Sequence, residues 1–393
     1  MSPLDRPSSR AESAPADSDF PTVGILGGGQ LGRMLAMAAV RLGIQVRFYD
    51  PDDSGPAAGL GERFVGSWND KEQLRRFAQG CDVITFENEW ARVSTLEEVR
   101  DQTTALLPSR RTLNWITDKV VQKLHAQSQG LPVGDFRECR SLAELQEAGR
   151  GLGFPLVLKR PRHSYDGYGN AAADHRDELE YAYERLGGKG SVLVEAWVPF
   201  VRELSVIVVR RADGEMVTYP VAYTRQRDHR CESVEVPAPI SAAVERRARS
   251  IARAAAEAFD IVGVAAIELF ELESGELLFN EIAPRPHNSG HFTIEGCATS
   301  QFENHLRAIL GWPLGDTSLV SPASVMVNIL GQREGEANGR RLAPALQVPR
   351  TSVHIYGKKS VRPNRKMGHV TALGEDMDEV RQRAFEAAKR VRL

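Results

Sequence analysis

Cysteine is scarce: four residues in 393, at positions 81, 139, 231 and 297. They are too scattered for zinc spacing or a dense disulfide framework, and they point to a reducing, cytoplasmic setting. No apolar run is long enough to span a bilayer. A basic excess is missing too. The formal net charge is −2, which gives no bulk attraction to nucleic acid or an anionic membrane. The first twenty residues are rich in Ser, Pro, Ala and Asp and have no apolar h-region, so they read as a disordered tail instead of a signal peptide. No internal repeat is evident. What remains is a chain with 42% hydrophobic and 26% charged residues, ordinary globular values, and long enough for several domains with sizeable cores.

Order is expected from Thr22–Leu26, a short buried-type strand followed by Gly27-Gly28-Gly29-Gln30-Leu31-Gly32. Apolar residues from Leu31 to Leu42 then recur at helical spacing, and Gln45–Tyr49 and Val83–Phe86 read as further strands. This βαβ pattern predicts a Rossmann-like parallel sheet with helices on both faces over 21–115. Past it, a helix at Lys119–Ser128 and strands at Pro155–Lys159 and Ser191–Glu195 suggest an α+β domain over 116–315, with 116–198 as a lid region. Glu203–Arg211 and Met216–Tyr223 read as an antiparallel pair, and Ser241 caps a helix running to Phe259. A small β-rich module is expected over 316–393.

The most informative segment is a hairpin carrying two glutamates. Glu268 lies in Val264–Phe270 and Glu281 in Leu277–Ile282, with Glu273-Ser274-Gly275-Glu276 between them. If Ser274-Gly275 is a two-residue turn, Glu268 and Glu281 face each other, with Cβ atoms about 5 Å apart. Opposed like charges call for a positive partner, and a hard cation such as Mg²⁺, shared with substrate phosphates, supplies one. The competing interpretation is an exposed hairpin with unremarkable acids; a bulge would also break the register.

Other motifs allow more than one reading. Gly27-x-Gly29-x-x-Gly32 follows a strand, opens a helix and precedes Asp50 at a strand end. That pattern suits NAD or FAD, a phosphorylated substrate, or a merely structural turn. Lys159 ends a strand before the glycine-containing loop Ser164–Asn170, an arrangement that suits holding and covering ATP phosphates; the alternative is a surface lysine beside a polar loop. Backbone groups at Glu195–Val198 suit an adenine edge with Trp197 and Val198 as apolar walls, and Glu203 suits ribose hydroxyls. Arg285, His287 and His291 suit anions. The basic run Lys358–Lys366 suits a phosphate monoester or is simply a solvated face.

Taken in order, these segments resemble the ATP-grasp superfamily, and within it the N5-carboxyaminoimidazole ribonucleotide synthetase family, over roughly Thr22 to His369. Ile25–Met34, Asn280–His291 and Tyr356–His369 carry the most specific resemblance. It implies that Lys119, Lys159, Ser164, Gly167, Gly169, Glu195, Trp197, Val198, Glu203, Gln226 and Asn280 bind ATP. It implies Glu268 and Glu281 as ligands of Mg²⁺, with Mn²⁺ as an alternative. Gln30, Leu31, Glu87, Asn288, Lys358, Arg365 and Lys366 match positions that bind the ribonucleotide. Tyr165, Asp166 and Arg285 are the implied catalytic residues. The implied reaction is ATP- and bicarbonate-dependent carboxylation of aminoimidazole ribonucleotide by a homodimer in purine biosynthesis. The rivals are a formate-using formyltransferase of the same superfamily, an NAD oxidoreductase and a non-catalytic nucleotide binder. The chain departs from the family pattern at His163-Ser164, where two glycines are common, and at Tyr168, Lys119 and Tyr223.

Overall fold

A computed structural model describes residues 20–89, 91, 93–100, 104–162, 169–227, 230–339 and 342–393. The first sheet contains β1 (Thr22–Leu26), β2 (Gln45–Asp50), β3 (Glu62–Val65), β4 (Val83–Phe86) and β5 (Ala105–Leu106), all parallel, in the order β3-β2-β1-β4-β5. Four of the five residues of β1 are buried, as expected of a strand covered on both faces. The order reverses between β1 and β4, so a crevice opens at their C-terminal ends, where the glycine loop and Glu87 lie. Helix Gln30–Arg41 buries Met34, Leu35, Ala36 and Ala39, and packs in one cluster with Phe302, Leu306 and Ile309 of helix Gln301–Ile309.

A four-stranded antiparallel sheet follows: β6 (Phe136–Cys139), β7 (Leu156–Lys159), β8 (Asn170–Ala173) and β9 (Val192–Ala196), ordered β6-β9-β7-β8. Leu156 and Leu158 of β7 enter its core. By alternation, Val157 and Lys159 take the opposite face.

The largest sheet is built from β10 (Phe200–Arg210), β11 (Met216–Thr218), β12 (Ala222–Arg227), β13 (Arg230–Val236), β14 (Gly263–Leu272), β15 (Leu277–Ala283) and β16 (Ala323–Leu330). Beyond these come β17 (Gly335–Glu336), β18 (Thr351–Ile355), β19 (Ser360–Val361) and β20 (Lys366–Gly374); β17 pairs with β19 apart from the large sheet. The large sheet runs β15-β14-β10-β12-β13-β16-β20-β18, with β11 paired to β10. The β-rich C-terminal module thus continues the central sheet edge to edge, and helix Met377–Arg390, which sequence reading passed over, packs on it through Val380 and Ala384.

Two local expectations need correction. The segment 216–223 is two strands, broken around Pro220: β11 pairs with one end of β10 and β12 with the other. Proline has no N–H to continue the ladder. The acidic hairpin does not turn on two residues either. Leu272 N–H donates to Glu276 O (2.9 Å) and Gly275 N–H to Leu272 O (2.8 Å), so the loop is Glu273-Ser274-Gly275, with Gly275 at φ +80°. This is the three-residue hairpin with a left-handed closing residue.

Candidate active site

The three-residue loop by itself would put Glu268 opposite Asn280. A β-bulge between Glu268 and Leu269 shifts the register by one, and Glu268 pairs with Glu281 after all. The bulge therefore makes the opposition that it was expected to destroy. It also breaks side-chain alternation. Asn280 and Glu281, neighbours in sequence, both reach lysines of the site: Asn280 Oδ1 accepts from Lys159 Nζ at 3.5 Å, and Glu281 accepts from Lys119.

Ser205 of β10 sits opposite Glu268 on its other side, and Glu203 shares that sheet face. Toward the far end of β14 the same face is apolar: Val264 and Ala266 pack with Phe292 and Ala308. Near the hairpin it becomes acidic. Burial, then Glu281 and Glu203, push the Glu268 carboxyl well above the usual range. Burial and Glu281 raise Glu203 to about 7, although Gln226 Nε2 donates to Glu203 Oε1 at 3.2 Å. For Glu281, burial is outweighed by Lys119 and Lys159, and it falls to about 2. His287 Nε2 stands 3.7 Å from Glu268 Oε1 and is steadied by Ser289, whose hydroxyl also bonds Ser205 at 2.7 Å.

Lysines line the opposite wall. Lys159 of β7 and Lys123 of helix Lys119–Ser128 grip the two oxygens of Glu195 at 2.5 and 2.7 Å. Despite burial, these two cations hold Glu195 far below the usual carboxylate range. Lys123 escaped sequence reading. Its signal was the i, i+4 spacing from Lys119, which puts both lysines on one helix face. Ala196 and Trp197 N–H bond the Asp135 and Pro155 carbonyls, so they offer no donor to an adenine edge. Trp197 is 49% exposed, as a wall of an open cleft would be, and Val198 is partly buried beside it. Gly169 has φ +84° and its carbonyl accepts from Arg160 N–H. Ser164, Tyr165, Asp166 and Gly167 lie outside the described residues.

The glycine loop turns out to be filled by the protein itself. Gly32 N–H donates to Glu87 Oε2 at 3.0 Å and Gly28 N–H to Asp50 Oδ2 at 2.6 Å. A Cβ on Gly29 would lie 2.3 Å from Glu87 Oε1. Two of the N–H groups that a dinucleotide pyrophosphate would use are thus engaged by the protein's own carboxylates, which speaks against NAD or FAD in this loop. Gln30 opens the following helix, and Leu31 packs on its core.

Arg285 holds Glu89, another residue missed in the sequence, through Nε–Oε2 at 2.5 Å and Nη2–Oε1 at 3.2 Å. Burial raises the Glu87 carboxyl above its usual range, and Arg285 lies near enough to oppose that rise in part. A chain of charges therefore runs from Glu281 past Glu89 and Arg285 to the glycine loop. His291 is no anion receptor: it is 1% exposed, in ring contact with Phe302, Tyr356 and His369, and burial keeps it neutral. Asn288 pairs amide to amide with Asn328 at 2.7–2.8 Å. Lys358 donates to Lys366 O at 2.7 Å, Arg365 bonds Ser360, and Lys366 is near enough to act on His291. The basic loop also meets the first domain, where a Cβ on Gly357 would lie 3.9 Å from Arg33 Nη1.

Three family models match: a ribonucleotide synthetase preATP-grasp domain over 20–117, an ATP-grasp domain over 124–302, and a phosphoribosylaminoimidazole carboxylase C-terminal domain over 324–383. The N5-carboxyaminoimidazole ribonucleotide synthase of Synechocystis is 41% identical over 377 residues, covering 92% of this chain and 94% of that one. The chain belongs to the N5-carboxyaminoimidazole ribonucleotide synthase family. A phosphoribosylaminoimidazole carboxylase of Ogataea methanolica is 40% identical over 93% of this chain, which spans 68% of that longer protein; for the Vigna aconitifolia enzyme the share is 65%. Among solved structures, the Thermus thermophilus synthetase aligns with a TM-score of 0.85 at 39% identity, covering 94% of this chain and 99% of that one. The Aspergillus clavatus synthase, solved with ADP and 5-aminoimidazole ribonucleotide, aligns with a TM-score of 0.86 at 39% identity, covering 95% and 99%. Against this family pattern, the carboxylate pair, Lys159 and Glu195 lie within the ATP-grasp match, Lys119 and Lys123 stand on the helix that leads into it, and Glu87 and the glycine loop belong to the preceding domain.

Proposed function

We propose that the chain carries out the reaction that names its family. ATP phosphorylates bicarbonate to carboxyphosphate. The exocyclic amine of 5-aminoimidazole ribonucleotide then attacks the carboxyl carbon, phosphate leaves, and the nitrogen loses a proton. The products are N5-carboxyaminoimidazole ribonucleotide, ADP and phosphate. The observation that carries this reading is the convergence of Glu203, Glu268 and Glu281 facing Lys119 and Lys159.

Among the described residues no three His, Cys, Asp or Glu side chains form a metal cluster on their own. Two facing carboxylates nevertheless suit Mg²⁺, which favours oxygen donors and keeps part of its water shell. Glu268 and Glu281 would hold it, with Asn280 beside them, and it would neutralise phosphoryl charge. Lys159 and Lys119 orient the phosphates. Gln226 holds Glu203 toward the ribose, and Arg285, Lys358 and Lys366 attract the ribonucleotide. The segment 163–168 carries Tyr165 and Asp166, which would arrange bicarbonate. A homodimer and a cytoplasmic setting complete the proposal, resting on the family resemblance and on four cysteines without disulfides. No helix among the described residues is long and apolar enough to cross a membrane. The formyltransferase alternative is not favoured by any of the matched names, and the NAD alternative loses its phosphate cradle to Glu87 and Asp50.

The test is ADP release from Mg²⁺-ATP and bicarbonate, with and without aminoimidazole ribonucleotide. Strong stimulation by the ribonucleotide is expected; none, with formate and glycinamide ribonucleotide active instead, sinks the reading. Glu281→Gln should lower turnover by about 100-fold or more while circular dichroism stays unchanged. Wild-type turnover in that variant would remove the metal assignment.

A further inference from the structure

Helix Lys119–Ser128 touches three parts of the site at once. At its start, Lys119 N–H bonds Pro161 O at 2.7 Å and Asp118 bonds Arg162 at 3.1 Å, so the helix is tied to the base of the loop that follows β7. Along one face, Lys119, Gln122 and Lys123 all meet β15, the outermost strand of the large sheet. Lys119 takes the Glu281 carboxylate. The Gln122 amide bonds both backbone groups of Ile282, its Nε2 donating to the carbonyl at 3.2 Å and its Oε1 accepting from N–H at 3.1 Å. It stands in for the strand that the sheet edge lacks. Lys123 donates to the Phe279 carbonyl at 3.3 Å, immediately before the bulge, and to Glu195 of β9 at 2.7 Å.

Lysine is rarely buried unless paired. Lys123 is 5% exposed, and its ammonium joins two structural units: strand β9 through Glu195 and the backbone from which the bulge springs. Phe279 N–H is likewise drawn outward, to Pro132 O at 2.6 Å. The bulge is therefore gripped on its outer side by the helix and its C-terminal turn. If that grip is released, alternation can return, and Asn280 and Glu281 can no longer both face the lysines.

We infer that Lys123 is a positioning residue for the metal–nucleotide site: by gripping the Phe279 carbonyl and Glu195 together, it holds the bulge that aims Asn280 and Glu281 and couples the lid to the metal strand. This rests on the functional reading above. The test is calorimetry of ADP binding across a MgCl₂ series, without ribonucleotide, on wild type and Lys123→Met. The Mg²⁺ concentration at half-saturation should rise about 10-fold or more, while aminoimidazole ribonucleotide affinity stays within about twofold. A purely structural role would lower the thermal midpoint and weaken both ligands alike. If Lys123→Met does not fold, Lys123→Gln, which keeps a donor for the carbonyl but no charge, is measured in the same way. A folded variant with an unchanged Mg²⁺ midpoint overturns the inference. So does a wild type whose ADP binding ignores Mg²⁺. Lack of ribonucleotide-stimulated turnover would instead count against the functional reading and leave this result readable.

Discussion

Glu203, Glu268 and Glu281 differ in titration although they share one sheet face, and the difference sets two pH windows. The Glu203 carboxyl is raised from its ordinary 4.5 to about 7. Between those values the folded chain holds a proton that the unfolded chain has lost. Its contribution to stability is thus present below pH 4.5 and is lost as pH rises through about 7. Glu268 has the same sign. Glu281, lowered to about 2, has the opposite one: its contribution is present above pH 4.5 and is lost as pH falls through about 2. A bound cation needs ionised oxygens, so binding must expel the held protons. Calorimetry of Mg²⁺-ADP binding in buffers of different ionisation enthalpy should show more proton release near pH 6 than near pH 8.5; equal release would refute the raised carboxyls. Glu89 is bonded to Arg285 through both carboxylate oxygens. Glu89→Gln leaves a buried guanidinium short of charge and should cost about 3 kcal/mol in urea unfolding. A loss under 1 kcal/mol, on the order of an exposed pair, would contradict the buried pairing.

At the scale of elements, the acidic hairpin shows what a sequence can and cannot reveal. Glu268 opposite Glu281 was legible from the apolar flanks and the turn residues. The route was not: a loop one residue longer and a compensating bulge give the same pairing. The bulge depends on Lys123 and Pro132, about 150 positions upstream, and no local pattern encodes those contacts. The glycine loop was legible only in part, for a similar reason. Its form was readable, but its occupant, Glu87, comes from another strand. Helices were easier: Ser241 caps where expected, and the helix Lys119–Ser128 keeps its expected span, with Asp118 accepting backbone N–H bonds at its start. Glycine substitutions separate turn geometry from packing. Gly275→Ala would meet only Val244 at 3.6 Å, so its cost is backbone strain of about 1 kcal/mol. At Gly263, φ is +108° and a Cβ would lie 2.8 Å from the His305 ring, so Gly263→Ala should cost clearly more by urea denaturation. The reverse order would show that His305 yields easily.

Across the whole molecule, the units are bonded together through buried polar groups that no single segment announces. His305 accepts from Val264 N–H at 3.1 Å and meets Thr85 Oγ1 at 2.8 Å, pinning the first sheet to the largest one. The C-terminal strands are not an appendage: β13 pairs with β16 from Ser233 to Val236, and β20 lies between β16 and β18. A fragment ending at residue 315 should therefore scatter light increasingly with concentration, where the whole chain does not; a clear, monomeric fragment would disprove this. The sheet order also has a consequence for synthesis. β20 leaves the ribosome after every other strand of its sheet, yet β16 and β18 meet only through it. Until it arrives, the nascent chain carries Val325 and Val327 on β16, a strand with an unfilled edge. Chaperone demand should peak late in translation, when nearly all of the catalytic residues have already been made.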